Sequence, residues 1–278
     1  MHDSPVSKTG FIAAFAVSIL FTLSSYFIEG NGSSFVVFCD VGQGDASYIH
    51  LKPDVDIVID AGKGSSVLNC LGKFMPRNDN VIELAFITHP QNDHYGGFLQ
   101  IPLRYRIKQL YMSNSITISK EFSSLMSLLK RKNVDVDVVY LGDSLTIQTA
   151  VFQILWPSKD YIQALTEKTD PNEASQVMLF SYNGRSILYT GDVTPKSLKI
   201  LLQQAISKVE ILKVPHHGSK NGLIYEFLAL ADPTYSVISV GKKNSYGHPS
   251  TQILQMLEEM GTEILRTDKL GDVVFRLD

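Results

Sequence analysis

Apolar residues cluster in short, nearly continuous runs broken by Gly, Pro and Asn, the pattern of strands buried on both faces. Strands are predicted over residues 35–40, 46–51, 57–60, 82–87 and 107–112, with Gly42 and Gly44 turning the chain after the first. Runs at 136–140, 145–147 and 151–155 read the same way. Asn183-Gly184, between strands at 176–182 and 186–189, is a hairpin turn. Strands recur at 209–214, 235–240, 263–266 and 273–277. Helical spacing occurs at 65–75, 119–131, 222–230 and 249–260, with a short helix at 98–105. Thr194-Pro195 opens a further helix, Thr as N-cap and Pro at the first helical position. The polar stretch 157–173 reads as a surface loop. Two strand groups, each with helices outside it, predict two packed sheets between helical layers, a single α/β sandwich (αββα) domain within residues 31–278.

Residues 1–30 fall outside this pattern. Residues 10–28 carry no charge over a length that spans a bilayer as a helix. Lys8 precedes the segment, while Glu29, Asp40 and Asp45 follow it with no base before Lys52. A transmembrane anchor with the globular domain outside the cytoplasm is therefore expected, a cleaved signal peptide being the alternative. The net charge of −3, from 25 basic and 28 acidic residues, excludes a generally basic nucleic-acid binder, so any grip on a polyanion must be local. The two cysteines, Cys39 and Cys70, form no Cys-rich metal pattern. Cys39 ends an apolar run and is expected to be a buried, unbonded thiol.

Four segments carry the candidate chemistry, each just after a predicted strand. Thr88-His89-Pro90-Gln91-Asn92-Asp93-His94-Tyr95-Gly96-Gly97 brings two imidazoles and a carboxylate together if Pro90 and the glycine pair let the chain turn sharply. Thr190-Gly191-Asp192 adds a carboxylate, and Val214-Pro215-His216-His217-Gly218-Ser219 adds two more imidazoles. Ser245-Tyr246-Gly247-His248-Pro249 leads into a helix N-terminus, where backbone N–H groups hold anions. Imidazoles with carboxylates are the ligand set of hydrolytic zinc or manganese sites.

These segments resemble the motifs of the metallo-β-lactamase superfamily and, more narrowly, the hydrolase domain of ComEC-type DNA-uptake proteins. The likeness runs through Asp40-Val41-Gly42-Gln43-Gly44-Asp45-Ala46, Ile59-Asp60-Ala61-Gly62, His89 to Gly97, Asn172 and Ser175. It continues through Leu188 to Asp192, Val214 to Ser219, Tyr246 to Pro249, Arg266-Thr267-Asp268 and Gly271. The resemblance implies a metallo-β-lactamase αββα sandwich. It makes His89 a ligand of a first metal site, Asp93 and His94 ligands of a second, and Asp192 a bridge; His216 or His217 completes the second site, the choice being open. Asp60 is then a carboxylate behind the ligands that fixes an imidazole tautomer. Asp93, His217 and His248 are the candidate groups for proton handling or substrate orientation. Lys213, Ser219, Lys220, Lys243 and Tyr246 flank the site loops as candidate substrate contacts.

Gln91 stands where the superfamily signature has its second His, and Asn172 where many members place another ligand. Because an amide is a poorer donor than imidazole, one firmly held Zn²⁺ or Mn²⁺ is expected, with a weaker second ion. The implied function is hydrolysis by a metal-bound hydroxide of a phosphodiester, DNA included. The alternatives are an esterase or phosphodiesterase on an envelope component, and a catalytically silent binding module.

Overall fold

The computed structural model describes residues 32–115, 119–204 and 206–278. The expected N-terminal anchor lies outside them; among the described residues no helix is long and apolar enough to cross a membrane. In the first half of the chain the strands are β1 (Phe35–Phe38), β2 (Ala46–Leu51), β3 (Val55–Ala61), β4 (Val81–Ile87), β5 (Arg106–Met112) and β6 (Asp135–Val138). In the second half they are β7 (Ser144–Ile147), β8 (Ala150–Trp156), β9 (Val177–Tyr182), β10 (Arg185–Tyr189), β11 (Ile211–Lys213), β12 (Tyr235–Ile238), β13 (Glu263–Arg266) and β14 (Val273–Arg276). They form two seven-stranded sheets, ordered β14-β1-β2-β3-β4-β5-β6 and β13-β12-β11-β10-β9-β8-β7.

The sheets meet face to face across a core that includes Val36, Phe38, Ile49, Phe86, Phe152 and Phe180. Phe152 sits between Phe86 (centroids 4.8 Å apart) and Phe180 (4.9 Å), and burying each such ring stabilises the fold by about 1.5–3 kcal/mol. A second core packs the first sheet against α1 (Ser66–Phe74) and α3 (Lys120–Arg131) through Cys70, Leu71, Phe122, Leu125 and Leu129. A third packs the other sheet against α5 (Pro195–Leu201), α6 (Tyr225–Ala231) and α7 (Thr251–Glu259). The result is the four-layer sandwich that the pattern predicts. Because both faces of the inner strands are covered, β3 is buried along its whole length, which is why its sequence, apart from Asp56 and Asp60, runs apolar instead of alternating.

Helix starts follow the sequence closely. Ser119 Oγ accepts from the Phe122 N–H (3.3 Å) and Ser250 Oγ from the Ile253 N–H (3.3 Å), each satisfying an otherwise orphaned first-turn donor. Residues 98–105 are not one helix but two short 3₁₀ turns, Gly96–Leu99 and Ile101–Leu103; Pro102 within the second removes a backbone donor. The expected loop 157–173 carries a short helix, α4 (Lys159–Gln163), and the 3₁₀ turn Pro171–Ala174.

The expectation of unbonded cysteines is overturned: Cys39 and Cys70 form a disulfide, with Cα atoms 5.9 Å apart. Cys39 follows the end of β1, and Cys70 lies on the buried face of α1 with Val67 and Leu71. Packing that face on the first sheet brings the two side chains together across 31 residues of sequence.

The topology also places the chemistry. β3, β4 and β5 run parallel in one sheet, and β10, β11 and β12 run parallel in the other. Asp60 is the penultimate residue of β3; His89 follows β4, Asp192 follows β10, and His216-His217 follow β11. These are the carboxyl ends of parallel strands, where open α/β sheets form their crevices.

Candidate metal centre

Local backbone geometry aims the side chains inward. Asn92–Tyr95 (α2) is a single helical turn after Pro90 and sets Asp93 and His94 on adjacent positions. At Gly191 the chain takes φ 47° and passes so close to Ser175 that a Cβ would overlap its Oγ, so glycine is required there. Asp60, His216 and His217 take φ of 54°, 51° and 54°. Such left-handed residues cost about 1–3 kcal/mol each and gather at functional sites.

His94 Nδ1 lies 2.8 Å from Asp60 Oδ2, and Thr88 holds that carboxylate with its N–H (2.9 Å to Oδ1) and its hydroxyl (2.7 Å to Oδ2). This fixes the ring with Nε2 turned toward Asp192 Oδ1, 3.3 Å away. The Asp192 backbone N–H donates to Ser175 Oγ (2.9 Å). His89 Nδ1 lies 3.2 Å from Thr88 Oγ1 and 3.3 Å from Ser175 Oγ. His217 Nδ1 faces the Ser239 carbonyl (3.0 Å) and Asp45 Oδ1 (3.1 Å), while its Nε2 points to Asp192 Oδ2 (3.5 Å) and Asp93 Oδ2 (3.6 Å).

His89 Nε2, His94 Nε2, His217 Nε2 and Asp192 Oδ1 are all buried without a hydrogen-bond partner among the described residues. Buried polar atoms are rarely left so. Ligand atoms of His89, His94 and Asp192 lie within 4.8 Å of one another, as do those of Asp93, His94 and His217. Convergent lone pairs on imidazole and carboxylate suit a divalent cation, so the residues present fit the implied zinc or manganese.

The electrostatics agree. Burial opposes a charge on His94, yet the Asp192 and Asp60 carboxylates hold its pKa well above the usual value. Burial is likewise outweighed at His217 by Asp192 and Asp45, and its pKa is pushed up to about 10. Asp192, though buried, is held well below the usual carboxylate range by His217 and His94. His89 is the exception, pushed down to about 3 by burial and by the neighbouring His94. Carboxylates packed in low dielectric favour positive charge beside them, which raises these two imidazoles and equally suits a cation.

The predicted residues divide accordingly. His89, Asp93, His94, Asp192 and His217 come together, with Asp60 directly behind His94. Of the histidine pair, His217 is the buried member; the His216 side chain is 27% exposed, its Nε2 3.9 Å from Asp192 Oδ2. His216 packs edge-on against His248 (5.8 Å), and His248 stacks on Tyr246. Gln91 and Asn172 bond to each other, Nε2 donating to Oδ1 at 2.6 Å. Lys220, Lys243 and Tyr246 are exposed.

Two expectations need correction. Lys213 is no surface substrate contact: it is buried, paired to Asp45 Oδ2 at 2.7 Å, and donates to the Val214 carbonyl. The ion pair compensates a lysine closed off between sheet and loop. Ser219 is buried as well, its N–H bonded to the His216 carbonyl and its Oγ accepting from the Asn221 N–H (3.4 Å); it shapes the turn. Sequence reasoning missed Ser239, and it gave Ser175 and Asp45 no role beyond membership of the motifs, although Ser175 faces His89 and Asp45 orients His217. The available signal was Lys213 itself, a charge between apolar Leu212 and Val214 in an otherwise buried strand.

A family model described as the metallo-beta-lactamase superfamily matches residues 39–242. The curated relatives include ComE operon protein 3 of Bacillus subtilis, 26% identical over 98% of this chain and 36% of that protein. They also include competence protein ComA of Neisseria gonorrhoeae, 30% identical over 45% of this chain and 18% of that protein. The chain thus spans little more than a third of the first relative's length and less than a fifth of the second's, and the resemblance to ComEC-type proteins is borne out. Among solved structures, the metallo-beta-lactamase fold protein YhfI from Bacillus subtilis superposes with a TM-score of 0.59 at 11% identity, covering 87% of this chain and 99% of that one. The family match covers the greater part of the sequence and contains all the converging ligand atoms, so the chain belongs to the metallo-beta-lactamase superfamily.

Proposed function

We propose that this member of a metal-dependent hydrolase fold is a phosphodiesterase acting on nucleic acid outside the cytoplasm. The observation that carries the reading is the convergence of unpartnered, buried His89 Nε2, His94 Nε2, His217 Nε2 and Asp192 Oδ1. An ion held there would make a water acidic enough to ionise near neutral pH and would offset charge on a phosphate. The chain's own groups do the rest. Asp60 and Asp45 hold His94 and His217 with Nε2 facing the centre. Asp93, whose side chain is 30% exposed and lies 3.6 Å from His217 Nε2, sits between the cluster and solvent, placed to accept the proton of the attacking water. His216 and His248 border the open side, where a leaving oxygen must be protonated. Exposed Lys220, Lys242 and Lys243 supply local positive charge for phosphates in a chain of net charge −3. The competence relatives support a DNA-related substrate.

The Gln91–Asn172 bond takes up Asn172 Oδ1, and an amide oxygen is a poorer donor than the imidazole of the family signature, which favours one ion over two. The same bond is what supports the second reading, a silent binding module. Purified protein is expected to carry about one zinc or manganese per chain by elemental analysis and to cleave phosphodiester oligonucleotides, with loss on chelation. Absence of metal after supplementation sinks the hydrolase reading. Metal without cleavage of any phosphodiester leaves the binding module.

The Cys39–Cys70 disulfide supports an extracytoplasmic site for the domain, since disulfides persist in oxidising compartments. Alkylation of the cell-derived protein without prior reduction should leave both cysteines unmodified and joined by mass spectrometry. Free alkylation of both removes this support.

A further inference from the structure

We propose that Tyr246 and His248 form a stacking platform for an unpaired base, which makes single-stranded nucleic acid the preferred substrate. The proposal rests on the phosphodiesterase reading above and specifies its substrate class. From Asp192 a file of rings leads to the surface. His216 Nε2 lies 3.9 Å from Asp192 Oδ2. His248 then meets His216 edge-on at 5.8 Å and 80°, and Tyr246 stacks on His248 at 5.6 Å and 26°. The outer ring is 70% exposed, unusual for a large aromatic side chain and unexplained by packing.

The loop that carries it is built in advance. Asn244 Nδ2 donates to the Gly241 and His248 carbonyls (2.9 and 2.8 Å), and the His248 N–H donates back to Asn244 Oδ1 (3.0 Å). The Gly241 N–H reaches Gln43 Oε1 (3.3 Å), which ties the loop to the 40–45 turn beside the centre. His248 Nδ1 and His216 Nδ1 are buried without partners among the described residues. Lys242 and Lys243, both exposed, precede Tyr246 in the same loop.

A phosphodiester at the metal centre places its flanking nucleotide along this file. Every base has a π face, so such a platform is indifferent to sequence, and base stacking on aromatic side chains is worth about 1–3 kcal/mol per base by alanine substitution. In a duplex those faces are covered by neighbouring pairs, so the platform selects strands whose bases are free.

The test compares a single-stranded oligonucleotide, its duplex and the same strand with abasic sites, using the full chain with its metal. The wild type is expected to prefer the base-bearing single strand over the abasic one about tenfold in kcat/KM, chiefly through KM. Tyr246→Ala is expected to erase that preference and Tyr246→Trp to retain it. Binding of a cleavage-resistant phosphorothioate strand by fluorescence anisotropy, with the metal in place, gives the same ratio without turnover. If the wild type cleaves nothing, the phosphodiesterase reading fails, while the anisotropy ratio still decides whether the platform exists. Equal binding of base-bearing and abasic strands, or a preference that survives Tyr246→Ala, overturns the proposal.

Discussion

If the proposed phosphodiesterase reading holds, Asp192→Ala is expected to lower turnover by on the order of a thousandfold and to abolish metal binding. Asp192 is the carboxylate facing the most imidazoles: Oδ1 lies 3.3 Å from His94 Nε2, while Oδ2 lies 3.5 Å from His217 Nε2 and 3.9 Å from His216 Nε2. Without it, the histidines lose the negative charge that balances a cation. Charge stabilisation by a catalytic ion is worth several kcal/mol, and each 1.36 kcal/mol is about tenfold in rate. His94→Ala is expected to do the same. Asp60→Asn touches the centre only through His94 and is expected to fall between, with affinity for metal down about 10–100-fold. Circular dichroism and thermal melts separate these effects from misfolding, and elemental analysis reads the metal directly. Full activity in Asp192→Ala, with the fold intact, moves the active site elsewhere.

Much of this centre was legible because its parts are local. A strand, then His89 to Gly97 or Thr190-Gly191-Asp192, is a contiguous message, and the strand periodicity placed those messages at strand ends. What stayed illegible was set by partners far away in sequence. The choice between His216 and His217 depends on two consecutive left-handed residues and on a carbonyl from Ser239, which no spacing rule reveals. Lys213 looked like a surface cation because β11 is buried along its length and so lacks the alternation that shows which residues point in. Its partner, Asp45, comes from the loop after β1 in the opposite sheet. Cys70 could be placed on the inner face of α1 from helical spacing, but its approach to Cys39 followed only from how that helix docks. Gln91 and Asn172 were each visible as departures from a ligand pattern. That they bond to one another, 81 residues apart, was not.

That bond alters what restoring a ligand should achieve. In the wild type, Gln91 Nε2 donates to Asn172 Oδ1 at 2.6 Å, while His89 Nε2 has no partner among the described residues. The two amides bond to each other, and the family resemblance would then give the first metal position one imidazole of its own, His89, with His94 and Asp192 converging beside it. Gln91→His alone adds one imidazole but strands Asn172, whose amide loses its bonded partner; a modest gain in affinity for a second ion is expected. Gln91→His combined with Asn172→His removes the amide pair and surrounds that position with three imidazoles, Asp192 remaining alongside. Changes merely behind a ligand shift metal affinity about 10–100-fold, so supplying two ligands should tighten the second ion by more than about a hundredfold. Metal content should rise from one to two ions per chain, read by elemental analysis and by titration against a chelating indicator. Turnover should rise with it, because two ions share the charge on attacking and leaving oxygens. The two substitutions should also couple strongly in a double-mutant cycle, since they dismantle one shared bond. A double variant that still holds a single ion, or a wild type that already holds two equally tightly, refutes this account of the amide pair.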